Sequence, residues 1–137
     1  MKYLFLSFLL VFSTAAAFSQ APAKPKFVID QYWLVILKTG PKDKEITDSV
    51  QRATIFAGHF ANMTRLHKEG VLKAAGPFGK NDLTWRGLFI LDCKTKEEAQ
   101  AFVDSDPSVK AGVFISDIVP WYSEPKGSFV HGIPSME

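Results

Sequence analysis

Histidines are the side chains of this 137-residue chain best suited to proton transfer, and there are three: His59, His67 and His131. A neutral imidazole accepts and returns a proton near neutral pH, which makes histidine the commonest general acid/base. His59 lies on the shoulder of an apolar helical arc, whereas His131 stands near the C-terminus without a companion. His67 lies in the last turn of the same predicted helix, where it interacts favourably with the helix dipole. His59 is therefore the candidate for acid/base chemistry.

Metal and cofactor chemistry find no support in the residue pattern. His59 and His67 are eight positions apart, about 80° around and roughly 12 Å along a helix, so the two cannot bind one metal ion. The single cysteine, Cys93, excludes multi-cysteine metal sites, and we interpret it as a strand-end residue without a nucleophilic role. Gly-rich phosphate loops, nucleophile elbows and nucleotide fingerprints are missing from the sequence. We predict no metal site and no cofactor.

Composition and charge indicate one globular domain that does not bind nucleic acid. Hydrophobic residues make up 47% of the chain, which is too many for disorder and enough for a single core. The 16 basic residues are nearly matched by 14 acidic ones, which leaves a formal charge of +2. That charge is too small for an electrostatic nucleic-acid binder.

The first residues have the order of a secretory signal peptide. Lys2 precedes an apolar stretch from Tyr3 to Phe12, and small residues follow up to Ala17. The apolar segment is shorter than the roughly 20 residues needed to span a bilayer. We predict a signal peptide over residues 1–19, a flexible leader over residues 20–30, and a secreted or periplasmic protein that does not contact the membrane after signal removal. The alternative is a cytoplasmic protein with a fortuitously apolar N-terminus.

The rest of the chain alternates between strand and helix patterns. Aromatic and β-branched runs predict four strands: Gln31–Leu37, Val71–Ala75, Trp85–Leu91 and Val113–Tyr122. N-cap residues at 47–49 begin a long helix that Gly70 ends, and a capping box begins a second helix over Lys96–Asp104. The order βαββαβ predicts a ferredoxin-like α+β sandwich, a four-stranded antiparallel sheet with two helices on one face. Residues 123–137 form a tail.

Helical spacing divides the first predicted helix into an apolar and a polar side. The side expected to face the core holds Val50, Ala53, Phe56, Ala57, Phe60 and Met63. The opposite side holds Gln51, Asn62, Arg65, Lys68 and Glu69. We therefore expect an amphipathic helix that lies on a core.

The predicted strands are apolar on both faces. In the first strand Tyr32, Leu34 and Ile36 point to one side, while Trp33, Val35 and Leu37 point to the other. Two helices cover one face of a sheet, and a sheet with one solvated face alternates apolar and polar residues. The second face therefore needs another cover, and we predict a homodimer packed sheet to sheet. The large aromatic residues of the strands are expected in the sheet core and in the dimer interface: Trp33, Trp85, Phe89 and Trp121.

Two blocks of sequence carry a further pattern, His59 to Pro77 and Asp106 to Val113. In the first block His59 is followed by Gly70 and by a Gly-Pro turn; in the second, Asp-Pro follows the second predicted helix. Taken together, the two blocks resemble the YCII-related (YciI-like) domain family of the dimeric α/β-barrel superfamily. The resemblance covers roughly residues 31–122, and it implies the same fold and dimer.

The resemblance also implies a site and a class of chemistry. It implies a pocket between sheet and helices, with a histidine on the first helix and an aspartate before the proline as an acid/base pair. Those positions are His59 and Asp106 in this chain. A few relatives act as lyases or dehydrohalogenases on small cyclic compounds derived from chlorinated aromatics. The residue after Asp-Pro is commonly aromatic in the family, so Ser108 predicts a different pocket wall.

Two functions remain open at this point. The first is a cofactor-free acid/base enzyme of the lyase or isomerase type, in which Asp106 orients His59 for proton transfer on a small organic molecule. The alternative is a non-catalytic dimer that binds a small ligand or serves as a structural module, in which Asp106 only satisfies a core histidine. Asp106 before Pro107 also has a simpler interpretation as a helix stop. An open cavity beside the pair favours the enzyme.

Overall fold

The computed structural model describes residues 29–123 and shows one four-stranded antiparallel sheet with helices. The strands are β1 Asp30–Thr39, β2 Leu72–Pro77, β3 Trp85–Leu91 and β4 Phe114–Ser123, in the sheet order β2-β3-β1-β4. The helices are α1 Ser49–Lys68, α2 Lys96–Asp104 and α3 Pro107–Lys110. The predicted ferredoxin-like α+β fold is confirmed. The predicted signal peptide, nearly all of the leader and all but the first residue of the C-terminal tail lie outside the described residues.

Local capping explains where the two long helices begin and end. The Asp48 side chain accepts a hydrogen bond from the Gln51 amide at 2.6 Å, which satisfies a free N–H in the first turn of α1. Gly70 ends this helix with a φ of +76°, a conformation that glycine adopts without steric cost. The Thr95 hydroxyl caps α2 through the Glu98 amide at 3.2 Å, as the predicted capping box requires.

The short helix α3 was not predicted. Asp-Pro ends α2 as expected, but the same two residues also begin a new turn of helix. Asp106 is its N-cap and accepts the Ser108 amide at 2.9 Å. Pro107 occupies the first turn of α3, where a backbone N–H would have no acceptor within the helix, so a proline costs no hydrogen bond there. The chain therefore turns back toward α1 between α2 and β4.

The core lies between the helices and the inner face of the sheet, which is defined by Trp33, Val35 and Leu37 of β1. These residues are buried together with Leu66 of α1 and Val103 of α2. Burying a large aliphatic side chain contributes about 1.5–3 kcal/mol, so this layer supplies much of the stability. The core thus fixes α1 and α2 on one face of the sheet.

The outer face of the sheet, opposite the helices, is largely apolar, although it also carries the ion pair of Lys38 with Asp117. Across β1 and β4, Tyr32 opposes Trp121 and Leu34 opposes Val119, and the rings of Tyr32 and Trp121 lie 6.0 Å apart. Val119 remains 43% exposed and Ile115 45% exposed. The pairing agrees with the predicted division of β1 into two apolar faces. Among residues 29–123, no helix is long and apolar enough to cross a membrane.

The predicted division of α1 into two sides was partly wrong. Val50 and Phe60, assigned to the core side, are 73% and 43% exposed, whereas Asn62, assigned to the polar side, is 8% exposed. The buried residues of α1 are His59, Asn62 and Leu66. The reason is that α1 packs against α3 as well as against the sheet, which rotates the buried side of the helix toward the start of α3.

Candidate active site

His59 and Asp106 lie in direct contact between α1 and α3. The His59 Nδ1 atom lies 2.9 Å from Asp106 Oδ2, although the two residues are 47 positions apart. Both residues are buried, and Asp106 has no exposed surface. The structure therefore brings together the two residues that the sequence resemblance selected.

Close packing of α1 and α3 makes this contact geometrically attainable. A Cβ atom placed on Gly58 would lie 2.8 Å from the Cγ atom of Pro107, so only glycine fits there without a shift of the ring. Gly58 precedes His59, and Pro107 follows Asp106. The tight approach of the two backbones therefore sets the distance between imidazole and carboxylate.

Asp106 is the centre of a buried hydrogen-bond network. Its Oδ2 atom binds His59 Nδ1 and accepts from Asn62 Nδ2 at 3.1 Å. Its Oδ1 atom accepts from the Ser108 hydroxyl at 2.6 Å and from the Ser108 amide at 2.9 Å. A buried carboxylate is tolerated when its lone pairs are satisfied in this way. Both oxygens are therefore held in fixed positions behind the imidazole.

The network keeps Asp106 ionised. Burial by itself raises the pKa of the carboxyl, but the hydrogen bonds from His59 and Ser108, together with the electrostatic attraction of His59, outweigh burial. The pKa of Asp106 therefore lies below its ordinary value of 3.8. An anion beside the ring favours the tautomer with a proton on Nδ1.

The Nε2 atom of His59 is consequently the nitrogen available for proton exchange. With Nδ1 bound to Asp106, and the Ser108 hydroxyl 3.3 Å from the same nitrogen, the lone pair remains on Nε2. When Nε2 takes up a proton, the resulting imidazolium is stabilised by the adjacent carboxylate. This is the arrangement of a general base that an acidic residue orients.

His59 borders an open cavity of about 370 Å³, a volume that suits a small organic ligand. Phenylalanine rings surround the imidazole; Phe89 stacks on it at 5.9 Å, and Phe114 meets it edge-on at 5.7 Å. The cavity is lined by Leu37, Phe56, His59, Phe60, Met63, Gly76, Pro77, Phe78, Arg86, Gly87, Phe89 and Phe114. His59 and Arg86 are the lining residues with polar side chains. The site is therefore an apolar pocket with one base and one cation.

Sequence reasoning did not assign three residues to the site: Asn62, Ser108 and Arg86. Asn62 lies one helical turn after His59, a spacing that places the two on one side of a helix, and this signal was available. Ser108 was expected to alter the pocket wall; instead its side chain bonds Asp106 and is fully buried. Arg86 carried no local signal, because its orientation depends on an irregularity in β3.

The other candidate residues lie away from this network. His67 Nδ1 lies 3.3 Å from the Leu72 carbonyl oxygen, at the end of α1. Burial, together with the nearby carboxylates of Glu98 and Asp92, raises the pKa of the Cys93 thiol to about 11, so the thiolate is scarce at neutral pH. His131 lies outside the described residues. Within residues 29–123, no three acidic, histidine or cysteine side chains are grouped closely enough to hold a metal ion.

Comparison with known proteins identifies the family. A model of the YCII-related domain matches residues 32–122. The chain belongs to the YCII-related domain family. Proteins named YciI from Escherichia coli and from Shigella flexneri are each 37% identical to it over 75 residues, which cover 49% of this chain and 76% of the relative. The resemblance inferred from the two sequence blocks is thereby confirmed.

One solved structure also aligns with this YCII-related protein. It is the 5-chloro-2-hydroxyhydroquinone dehydrochlorinase from Burkholderia phenoliruptrix, in complex with 2,5-dihydroxybenzoquinone. The alignment covers 66% of this chain and 92% of the other, with 24% sequence identity and a TM-score of 0.49.

Proposed function

We propose that this YCII-related protein is a cofactor-free acid/base enzyme of the lyase or isomerase type that acts on a small organic molecule. The observation that carries the proposal is the position of His59, with Nδ1 bound to a buried carboxylate at 2.9 Å and the ring bordering an open cavity. A histidine that serves only as a packed core residue has no need of that cavity.

The proposed chemistry is proton transfer at a carbon beside a carbonyl group. Nε2 of His59 removes the proton, and the electron pair of the broken C–H bond moves toward the carbonyl to form an enolate. The imidazolium then returns the proton at another atom, which is isomerisation, or the enolate expels a leaving group, which is elimination. Asp106 stabilises the imidazolium, and the phenylalanine rings exclude water from it.

Deuterium exchange tests this proposal before a substrate is known. The full chain is incubated in D₂O with a panel of small cyclic ketones, and NMR follows the loss of the protons beside the carbonyl group. Because a positioned general base contributes about 10²–10⁴-fold, His59→Gln should slow the enzyme-dependent exchange by at least about 100-fold. His67→Gln is the matched control and should exchange at the wild-type rate. Equal rates in the His59→Gln variant and the wild type contradict the proposal.

A non-catalytic small-ligand module is the alternative, and the same cavity favours it. Its distinguishing result is binding without exchange: a ketone of the panel perturbs the NMR signals of cavity residues, while its protons exchange no faster than in buffer. Under that outcome Asp106 serves only to satisfy a buried histidine.

We also propose that the protein is exported. The support is the order of Lys2, the apolar stretch to Phe12 and the small residues up to Ala17. Mass spectrometry of the protein expressed from its full reading frame tests this directly. A mature N-terminus near Gln20 is the expected result, and an intact N-terminus on a protein retained inside the cell contradicts it.

We further propose a homodimer packed through the outer face of the sheet. The support is the apolar character of that face in a single chain, where Ile115 and Val119 are each more than two-fifths exposed. Large exposed apolar patches on soluble proteins mark interaction sites. A second copy of the same face offers a cover of matching shape and polarity.

A further inference from the structure

Arg86 is turned toward the cavity by a β-bulge. The pairing of β1 with β3 shifts register between Leu37 and Lys38, which leaves Arg86 as an extra residue between two paired positions of β3. Strict alternation along β3 would place this side chain on the outer face. Instead its guanidinium lies over the inner-face ring of Phe114, 5.5 Å from the centroid. Bulges commonly re-aim a side chain beside a functional site.

The positive charge of Arg86 is only partly compensated. Asp43 is shared between two arginines, since its Oδ1 atom binds Arg52 at 2.6 Å and its Oδ2 atom binds Arg86 at the longer distance of 3.3 Å. The group of three side chains therefore carries one excess positive charge. Among residues 29–123, the side chains that line the cavity include no carboxylate, so Asp43, which lies outside the lining, is the counterion that Arg86 shares with Arg52.

Arg86 and His59 lie against the same ring. The guanidinium carbon of Arg86 is 5.5 Å from the centroid of Phe114, and the imidazole centroid of His59 is 5.7 Å from it. Because both distances are measured to the Phe114 centroid, the separation between the guanidinium carbon and the imidazole centroid cannot exceed their sum. A cavity of about 370 Å³ that is lined mainly by phenylalanine rings suits a planar ligand with one six-membered ring.

We propose that the cavity binds a planar, single-ring organic anion whose carboxylate or ionised hydroxyl oxygen pairs with Arg86. A guanidinium bonds such oxygens through charge-assisted hydrogen bonds, which are stronger in apolar surroundings than in water. The phenylalanine rings contact the faces of the ligand, and its reacting carbon points toward His59. That orientation rests on the proposed acid/base function, whereas the pairing of charge does not require turnover.

Benzoate and benzamide are the probes, because they share size and planarity and differ in charge. Calorimetric titration of the full chain at low ionic strength should show benzoate binding at least about tenfold more tightly than benzamide, since only benzoate pairs with the guanidinium. Arg86→Gln should bring the two affinities within about twofold, and Arg86→Lys should keep part of the preference. Lys68→Gln removes the same charge from an exposed position at the end of α1 and should leave the preference intact.

Asp43→Asn provides an independent measurement in case Arg86→Gln folds poorly. Removing this counterion leaves Arg86 less compensated, so the affinity for benzoate should rise while that for benzamide stays constant. Equal affinity of the wild type for both probes, or an undiminished preference in Arg86→Gln, overturns the proposal. His59→Gln separates the two hypotheses: it should abolish deuterium exchange and keep the preference for benzoate. A preference that depends on Arg86 in a protein without exchange activity would refute only the acid/base function.

Discussion

At the scale of single residues, Asp106 has a structural and a chemical role at once. Its carboxylate caps α3, accepts a hydrogen bond from the Asn62 side chain of α1, and binds Nδ1 of His59, which favours one tautomer of the imidazole. The interpretation of the Asp-Pro pair as a helix stop and its interpretation as part of an acid/base pair are therefore compatible. Asp106 follows the end of α2, and its carboxylate caps α3. The same carboxylate binds the imidazole at the edge of the cavity.

The low pKa of Asp106 makes the stability of the protein depend on pH. The carboxyl is ionised to a lower pH in the folded chain than in the unfolded chain, so the unfolded state binds the proton first as pH falls. The stabilisation is therefore fully present above about pH 4 and is lost as pH falls further, through the depressed folded pKa. Asp106→Asn should lower the free energy of unfolding by about 2–4 kcal/mol at pH 7, since it removes a buried charged acceptor.

Urea unfolding of the wild type and of Asp106→Asn at pH 7, 5, 4 and 3 measures how the loss of stability depends on pH. The difference between wild type and Asp106→Asn should shrink as pH falls below 4. Asp104→Asn is the matched control, because Asp104 is exposed and its side chain accepts a hydrogen bond from Gln100 of its own helix. A difference that persists undiminished at pH 3 would show that the carboxylate is not the stabilising species.

At the scale of elements, the position of the site follows from how α1 and α3 meet. Gly58 of α1 packs directly against the ring of Pro107 in α3, and each residue is next to one member of the His59–Asp106 pair. An alanine at position 58 would gain about 1 kcal/mol of helix propensity at an open position. Here its Cβ atom would overlap the proline ring, which requires α3 to move away.

Gly58→Ala should therefore destabilise the protein by about 1–3 kcal/mol, the usual cost of overpacking. It should also weaken exchange activity, because displacement of α3 lengthens the contact between His59 and Asp106. The double variant Gly58→Ala/Pro107→Ala removes the ring that the new methyl meets and should recover part of both losses. Unfolding curves of the two single variants and the double variant give the coupling energy. A stabilised Gly58→Ala protein would contradict close packing of α1 on α3.

The elements themselves were largely predictable, because local patterns determine them. The strand over residues 85–91 and the helix over residues 96–104 were predicted with the bounds that the structure shows. Helical spacing places Asn62 on the same side of α1 as His59, but its burial could not be predicted from apolar periodicity, since that burial depends on a carboxylate 44 residues away. The orientation of Arg86 depends on the register between β1 and β3, and a one-residue bulge has no reliable local signature. Local residue patterns were thus sufficient to predict the helices and strands, whereas long-range contacts determine which side chains form the site.

At the scale of the whole molecule, the sheet has two apolar faces and the helices cover one of them. On the outer face Leu34 of β1 stands between Val119 of β4 and Ile90 of β3. From Tyr32 to Leu37, β1 therefore lacks the alternation of apolar and polar residues that is expected along a strand when one face of the sheet is solvated. The cavity lies between α1 and all four strands, on the helix side of the sheet, so a second copy docked on the outer face would leave His59 on the opposite side of the sheet.

A charged residue on the outer face should convert the proposed dimer into a monomer. Val119→Lys costs little in a single chain, because the side chain is 43% exposed, but in the dimer it buries a charged ammonium group in the interface. Val50→Lys is the matched control at an exposed valine, 73% exposed at the start of α1. Sedimentation at micromolar concentration should give a dimeric mass for the wild type and for Val50→Lys, and a monomeric mass for Val119→Lys. A monomeric mass for the wild type would contradict the proposed homodimer.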